Sequence, residues 1–69
     1  MEFKVGQRVK VRGDAMDCTD HLDGFIGTIT IPGKDDCRIR FSRADVGEHC
    51  TTDWWIWNYN ITPLGDADG

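Results

Sequence analysis

Five residues of this chain are of a type that binds zinc: Cys18, His21, Cys37, His49 and Cys50. Cys18 and His21 have chelating spacing, with two residues between them, but no second pair matches it to complete a four-ligand set. His49 and Cys50 are adjacent and would point to opposite sides of an extended segment. These residues therefore read as loop polar groups and packed thiols, and no metal or cofactor is expected. Asp14, Asp17, Asp20 and Asp23 recur every third position. A calcium loop draws its oxygens from alternate positions around a central glycine. This set therefore reads as a solvated acidic loop. Cys50 with His49 or His21 would supply a nucleophile and a base. Nothing in the sequence orients the base, and a 69-residue chain offers little cleft from which to exclude water. The chain is not expected to be an enzyme.

Two other sets could recognise a partner. All three tryptophans and the one tyrosine fall between positions 54 and 59, in Trp54-Trp55-Ile56-Trp57-Asn58-Tyr59. On a strand, Trp55 and Trp57 share one face, and Trp54 and Ile56 share the other. Both faces cannot be core in a single-layer wall. Ile56 and Trp54 are expected inside, with Trp55, Trp57 and Tyr59 at the surface, where aromatics serve as interface anchors. The acidic loop Asp14, Asp17, Asp20 and Asp23 is expected beside them, which suits a basic or amphipathic segment of a protein partner. Self-association through this face is a further option, because a small core gains stability by pairing. The second set is Arg8, Lys10, Arg12, Arg38 and Arg40, on the outward faces of strands, which would serve a nucleic-acid-binding barrel. The net charge of −4 and the acidic loops oppose approach to a phosphate backbone.

These side chains need a scaffold, and the sequence outlines an all-β one. Val5 to Arg12 alternates, with Val5, Val9 and Val11 on one face and Arg8, Lys10 and Arg12 on the other. Residues 13–24 lack apolar periodicity, and aspartates three apart would repel on a helix, so a loop is expected. Phe25 to Ile31 is β-branched and forms a second strand. Gly27 is expected to mark a bend or bulge that lets Ile26 and Ile29 both face inward. Pro32 to Asp36 is a turn. Cys37 to Phe41 alternates, with Ile39 and Phe41 inward, and Ser42 to Asp53 is a long polar connection. Trp54 to Trp57 is a fourth strand, Asn58 to Asn60 a tight helical turn, and Ile61 to Leu64 a short last strand. Residues 1–64 form one domain, and residues 65–69 an acidic tail. Asn60-Ile61-Thr62 matches a glycosylation acceptor but carries no meaning without secretion. The odd cysteine count, the lack of a long apolar run and the polar start lead to an expected cytoplasmic location.

Five short strands, a long first loop, a short second loop and a helical turn before the last strand describe a small five-stranded SH3-like barrel. The motifs agree. Phe3-Lys4-Val5-Gly6-Gln7-Arg8-Val9-Lys10-Val11 resembles the F-x-V-G-D-R-V-x-V opening of such barrels. Gly24-Phe25-Ile26-Gly27-Thr28-Ile29 is similar to their G-x-x-G-T second strand. Cys37 to Phe41, Trp54 to Trp57 and Ile61 to Leu64 resemble their closing segments. Over residues 3–64 the ordered set resembles Mind bomb-type SH3-like repeats and stand-alone barrels of phages and bacteria. The resemblance implies a non-enzymatic, protein-binding module, with a phage origin as one possibility. The paired tyrosines of a proline-rich-peptide groove are absent. The expected function is binding of a basic or amphipathic surface through Trp55, Trp57, Tyr59 and the acidic loop, with nucleic-acid binding as the alternative.

Overall fold

The computed structural model describes residues 3–48 and 50–64. Strand β1 spans Arg8–Val11, and its burial alternates residue by residue, as the valine-cation sequence requires. β2 covers Ile26–Ile31, β3 Asp36–Arg40, β4 Asp53–Trp57 and β5 Ile61–Pro63. All pairings are antiparallel, in the order β4-β3-β2-β1-β5. A 3-10 turn, Asn58–Asn60, joins the two edge strands. In a flat sheet those edges would lie roughly 19 Å apart, at about 4.8 Å per strand. Three residues of 3-10 helix advance only about 6 Å. The end of β4 and the start of β5 therefore lie close together, so the sheet curls and its inner face becomes the core. The result is a small all-β fold. It has the long first connection, short second connection and helical turn expected from the sequence.

The core consists of Val9, Val11, Leu22, Ile29, Cys37, Ile39, Phe41, Val46, Ile56 and Ile61. Phe3, Phe25, Cys50 and Trp54 pack against it half-buried. Two members come from segments that read as purely polar. Leu22 is fully buried because the first connection is not a plain loop. It forms two single 3-10 turns, Ala15–Asp17 and Asp20–Leu22, and the second delivers Leu22 to the core. Asp14 caps the first turn by accepting from Met16 N–H, and Asp23 Oδ1 accepts from Gly13 N–H at the loop's neck. No longer helix forms, in keeping with the repulsion between the aspartates. Val46 likewise arrives on a short helix, α1 (Arg43–Val46), within the connection from β3 to β4.

Three expectations are corrected. Val5 lies before β1 and is exposed rather than core. Ile26 faces outward while Ile29 is buried, because a spacing of three in a regular strand puts residues on opposite faces. Gly27 is not a bulge: it pairs in register with Val9, and the register irregularity falls between Ile29 and Ile31. What Gly27 supplies is room. A Cβ there would lie 2.5 Å from Ile39 Cγ2 and 2.9 Å from the Arg40 carbonyl oxygen. The close approach of β2 to β3 over the core thus depends on a missing side chain. Residues 65–69, read as an acidic tail, lie outside the described residues, as does His49.

Gly27→Ala is expected to destabilise the fold by about 1–3 kcal/mol through overpacking. A urea midpoint equal to that of the parent chain would show that β2 and β3 can separate at no cost.

Candidate functional site: an aromatic face on strand β4

β4 pairs with β3 in the register Asp36↔Trp57, Cys37↔Ile56, Arg38↔Trp55, Ile39↔Trp54 and Arg40↔Asp53. Directly opposed residues share a face. The inner face thus receives Cys37, Ile39, Ile56 and Trp54. The outer face carries Trp55, Trp57, Asp53, Arg38, Arg40 and Asp36. Ile56 is buried and Trp54 half-buried, whereas Trp55 is 52% exposed, Trp57 42% and Tyr59 68%. The tryptophans therefore divide as strand alternation requires. Trp54 also differs from the others in its polar handle, since its indole N–H donates to the Thr51 carbonyl at 2.9 Å. Among the described residues, the indole N–H groups of Trp55 and Trp57 have no acceptor.

Trp57 and Tyr59 lie nearly parallel, 10° apart, with ring centroids separated by 6.1 Å, an offset stack. Two asparagines hold that stack in place. Asn58 donates from Nδ2 to the carbonyls of Gly33 and Lys34, and its N–H donates to the Asp35 carbonyl. Its Oδ1 accepts from the buried Cys37 thiol at 3.1 Å. Asn60 is buried, and its Oδ1 accepts from Arg12 Nε and Nη2 at 3.1 and 2.9 Å. Its backbone carbonyl accepts from Arg12 N–H at 2.8 Å. Tyr59 thus projects from a three-residue turn pinned on both sides. The glycosylation-like motif at Asn60 has its carboxamide spent in this clamp. Neither asparagine was picked out as a site residue. The available signal was a polar pair flanking an aromatic within an otherwise apolar segment.

The first connection and the outer face of β3 and β4 each carry carboxylates. The first connection meets β4 through His21, whose ring stands edge-on to Trp54 at 5.1 Å, on the strand face away from Trp55 and Trp57. Asp14 and Asp23 accept hydrogen bonds that organise the loop itself, and Asp17 and Asp20 are exposed on it. On the outer face the register sets Asp36 opposite Trp57, with Asp35 next to it in the chain, and Asp53 two residues before Trp55.

The cationic set is largely engaged. Asp53 accepts from Arg40 Nε and Nη2 at 2.9 and 3.1 Å, and forms an ion pair with Arg38, whose Nη2 lies 2.9 Å from its Oδ2. The hydrogen bond from Arg40 holds the Asp53 carboxyl below its ordinary value of 3.8, and burial opposes this. The same pairing raises Arg40. Arg12 is committed to Asn60. Arg8 and Lys10 make no ion pair among the described residues. Arg8 and Arg40 line a shallow groove that also contains Asp45, and Lys10 and Arg12 one that contains Asp23. An anion entering either groove meets a carboxylate. Among the described residues no three His, Cys, Asp or Glu side chains cluster as a metal site. Cys18 is exposed, Cys37 is buried and Cys50 is half-buried.

Asn60→Ala leaves the Arg12 guanidinium without its acceptor. It is expected to cost about 1–3 kcal/mol and to weaken the near-ultraviolet signal of the Trp57–Tyr59 stack. An unchanged signal would mean that the turn holds itself. Asp53 has a folded pKa below its unfolded value, so its contribution is complete above pH ~4 and fades as the pH falls through the folded pKa. Asp53→Asn should therefore lower the melting temperature at pH 7, with the gap to the parent chain closing in acid. A gap independent of pH would remove the ion pair as its cause. Comparison of the chain with protein-family models, with curated proteins and with solved structures finds no match.

Proposed function

We propose that this chain is a non-enzymatic protein-interaction module that docks a partner through Trp55, Trp57 and Tyr59. The observation that carries this reading is the coincidence of three exposed aromatics with a rigid mount. Tyr59 and Trp57 are stacked, and the turn that bears Tyr59 is pinned by Asn58 and Asn60. A side chain that is already ordered loses little entropy on binding, which is what makes an aromatic an effective anchor. The indole N–H groups of Trp55 and Trp57 add directional donors for a partner's carbonyls. Asp35 and Asp36 make one end of the face acidic, and this supports a basic or amphipathic partner segment.

The nucleic-acid alternative finds less support. Of Arg8, Lys10, Arg12, Arg38 and Arg40, three are held by Asp53 or Asn60, and the grooves beside them each contain a carboxylate. Arg8 and Lys10 alone would give a weak salt dependence, because its slope scales with the number of phosphates neutralised.

Titration with an amphipathic lysine-rich model peptide should shift tryptophan emission to the blue and shield it from acrylamide. An acidic peptide of the same pattern should do neither. Trp55→Ala and Trp57→Ala should each weaken binding by about 1–2 kcal/mol, a 5- to 30-fold loss. Tight binding of an oligonucleotide that falls steeply with salt would overturn the reading. So would an emission spectrum that is fully blue and unquenchable before any ligand is added.

A further inference from the structure

The ladder between β3 and β4 fixes where the backbone of β4 points. Asn58 N–H donates to the Asp35 carbonyl at 2.9 Å, and Phe41 N–H to the Thr52 carbonyl at 2.8 Å. In an antiparallel ladder hydrogen-bonded pairs alternate with non-bonded ones. With this register, Thr52, Trp54, Ile56 and Asn58 face β3. The N–H and C=O groups of Asp53, Trp55 and Trp57 point off the edge of the sheet, where β4 has no neighbour. Asp53 N–H is turned back onto Thr51 Oγ1 at 3.3 Å. The Trp57 carbonyl caps the 3-10 turn that follows, so the outward groups left without a partner among the described residues are the N–H and C=O of Trp55 and the N–H of Trp57. One stretch thus offers unpaired backbone and exposed indoles together. Proteins normally blunt such an edge with charge, proline or a covering segment.

We propose that this edge pairs with β4 of a second copy of the chain, antiparallel, about a twofold axis through Trp55. The inference rests on the reading that the aromatic face docks a protein, and it names the partner. Charge selects the second copy. At the Trp57 end of the edge lie Asp35 and Asp36. At the other end Arg40 stands opposite Asp53, and Arg38, opposite Trp55 at the centre, shares that single carboxylate, which leaves one cation uncompensated. Antiparallel pairing brings the acidic end of each copy to the arginine end of the other, whereas parallel pairing would put like ends together. Side chains select the register. With the axis at Trp55, that residue faces the copy's Trp55, and Trp57 faces the copy's Asp53, so no like charges stand directly opposite. Trp57 then lies about one strand spacing, ~4.8 Å, from the copy's Asp53, toward which the copy's Arg40 extends its guanidinium from the next strand, so a cation–π contact is within reach. A closed twofold contact of this kind uses the same patch on both copies and stops at two. The patch is far smaller than the roughly 20–30 residues per side of a standard interface, so the dimer is weak and depends on concentration.

Position 55 faces itself across the axis, which makes charge substitution diagnostic. Sedimentation equilibrium between roughly 10 μM and 1 mM should show the parent chain associating, in the affinity range expected of so small a patch. Trp55→Lys alone and Trp55→Glu alone should each lose association at least tenfold, and an equimolar mixture of the two should recover it as a mixed dimer. In the parent chain, amide exchange at Trp55 and Trp57 should slow with rising concentration while Trp54 and Ile56 stay unchanged, a readout that needs no variant. A parent chain that stays monomeric overturns the proposal, as does a mixture that fails to pair or a dimer that survives both substitutions. If the chain is monomeric and binding of the lysine-rich peptide still requires Trp55 and Trp57, the second copy is wrong and the docking face stands. If neither association nor peptide binding occurs, both readings fall.

Discussion

The hydrogen bonds between Arg12 and Asn60 are the contact on which the rest of this fold depends. They tie the end of β1 to the turn that joins the two edges of the sheet. β5 pairs with β1 along its own ladder, and this tie fixes the turn that leads the chain into that pairing. The bond is charged and half-buried, and it uses both the side chain and the backbone carbonyl of one asparagine. Such bonds are worth more than neutral ones, and leaving one partner unpaired costs most. The same tie sets the direction of Tyr59, so the device that closes the sheet also builds the aromatic face.

Charge on the outer surface is arranged with similar economy. Asp53 serves two arginines from the neighbouring strand and is itself largely covered by them. The pairing laces β3 to β4 and removes two cations from the set that would have served a phosphate backbone. What remains is an aromatic stripe with opposite charge at its two ends. A chain with net charge −4 therefore presents a local dipole rather than a uniformly acidic surface.

Much of this was legible in the sequence, because strand periodicity is a local property. The alternation in Arg8–Val11 and Asp36–Arg40 and the division of Trp54 from Trp55 and Trp57 follow from a period of two. The Asn58–Asn60 turn was readable from polar residues set between apolar strands. Leu22 and Val46 were not, because each is a lone apolar residue in a polar segment and only the path of the chain shows that it reaches the core. Gly27 was legible as special but not as the reason, since a close approach by Ile39 and Arg40 is set by a different strand. Ile26 was misplaced because a bulge was assigned to Gly27 when the irregularity lies further along. The arginines misled for the same reason. A cation on an outward face looks available until its cross-strand partner, here Asp53, is known.

The place of β1 in the sheet has a kinetic consequence. β1 pairs with β2, its successor in the chain, and with β5, the last strand. The second pairing joins positions roughly fifty residues apart, and the entropy of closing so long a loop must be lost before the contacts reward it. Contacts of this separation dominate in slow-folding β topologies, whose rates fall in milliseconds to seconds rather than microseconds. The β2–β3–β4 meander can assemble through neighbouring hairpins, and docking of the terminal strand then completes the molecule. The aromatic face is fully mounted only at that last step, so the chain gains its ordered aromatic surface when the ends come together.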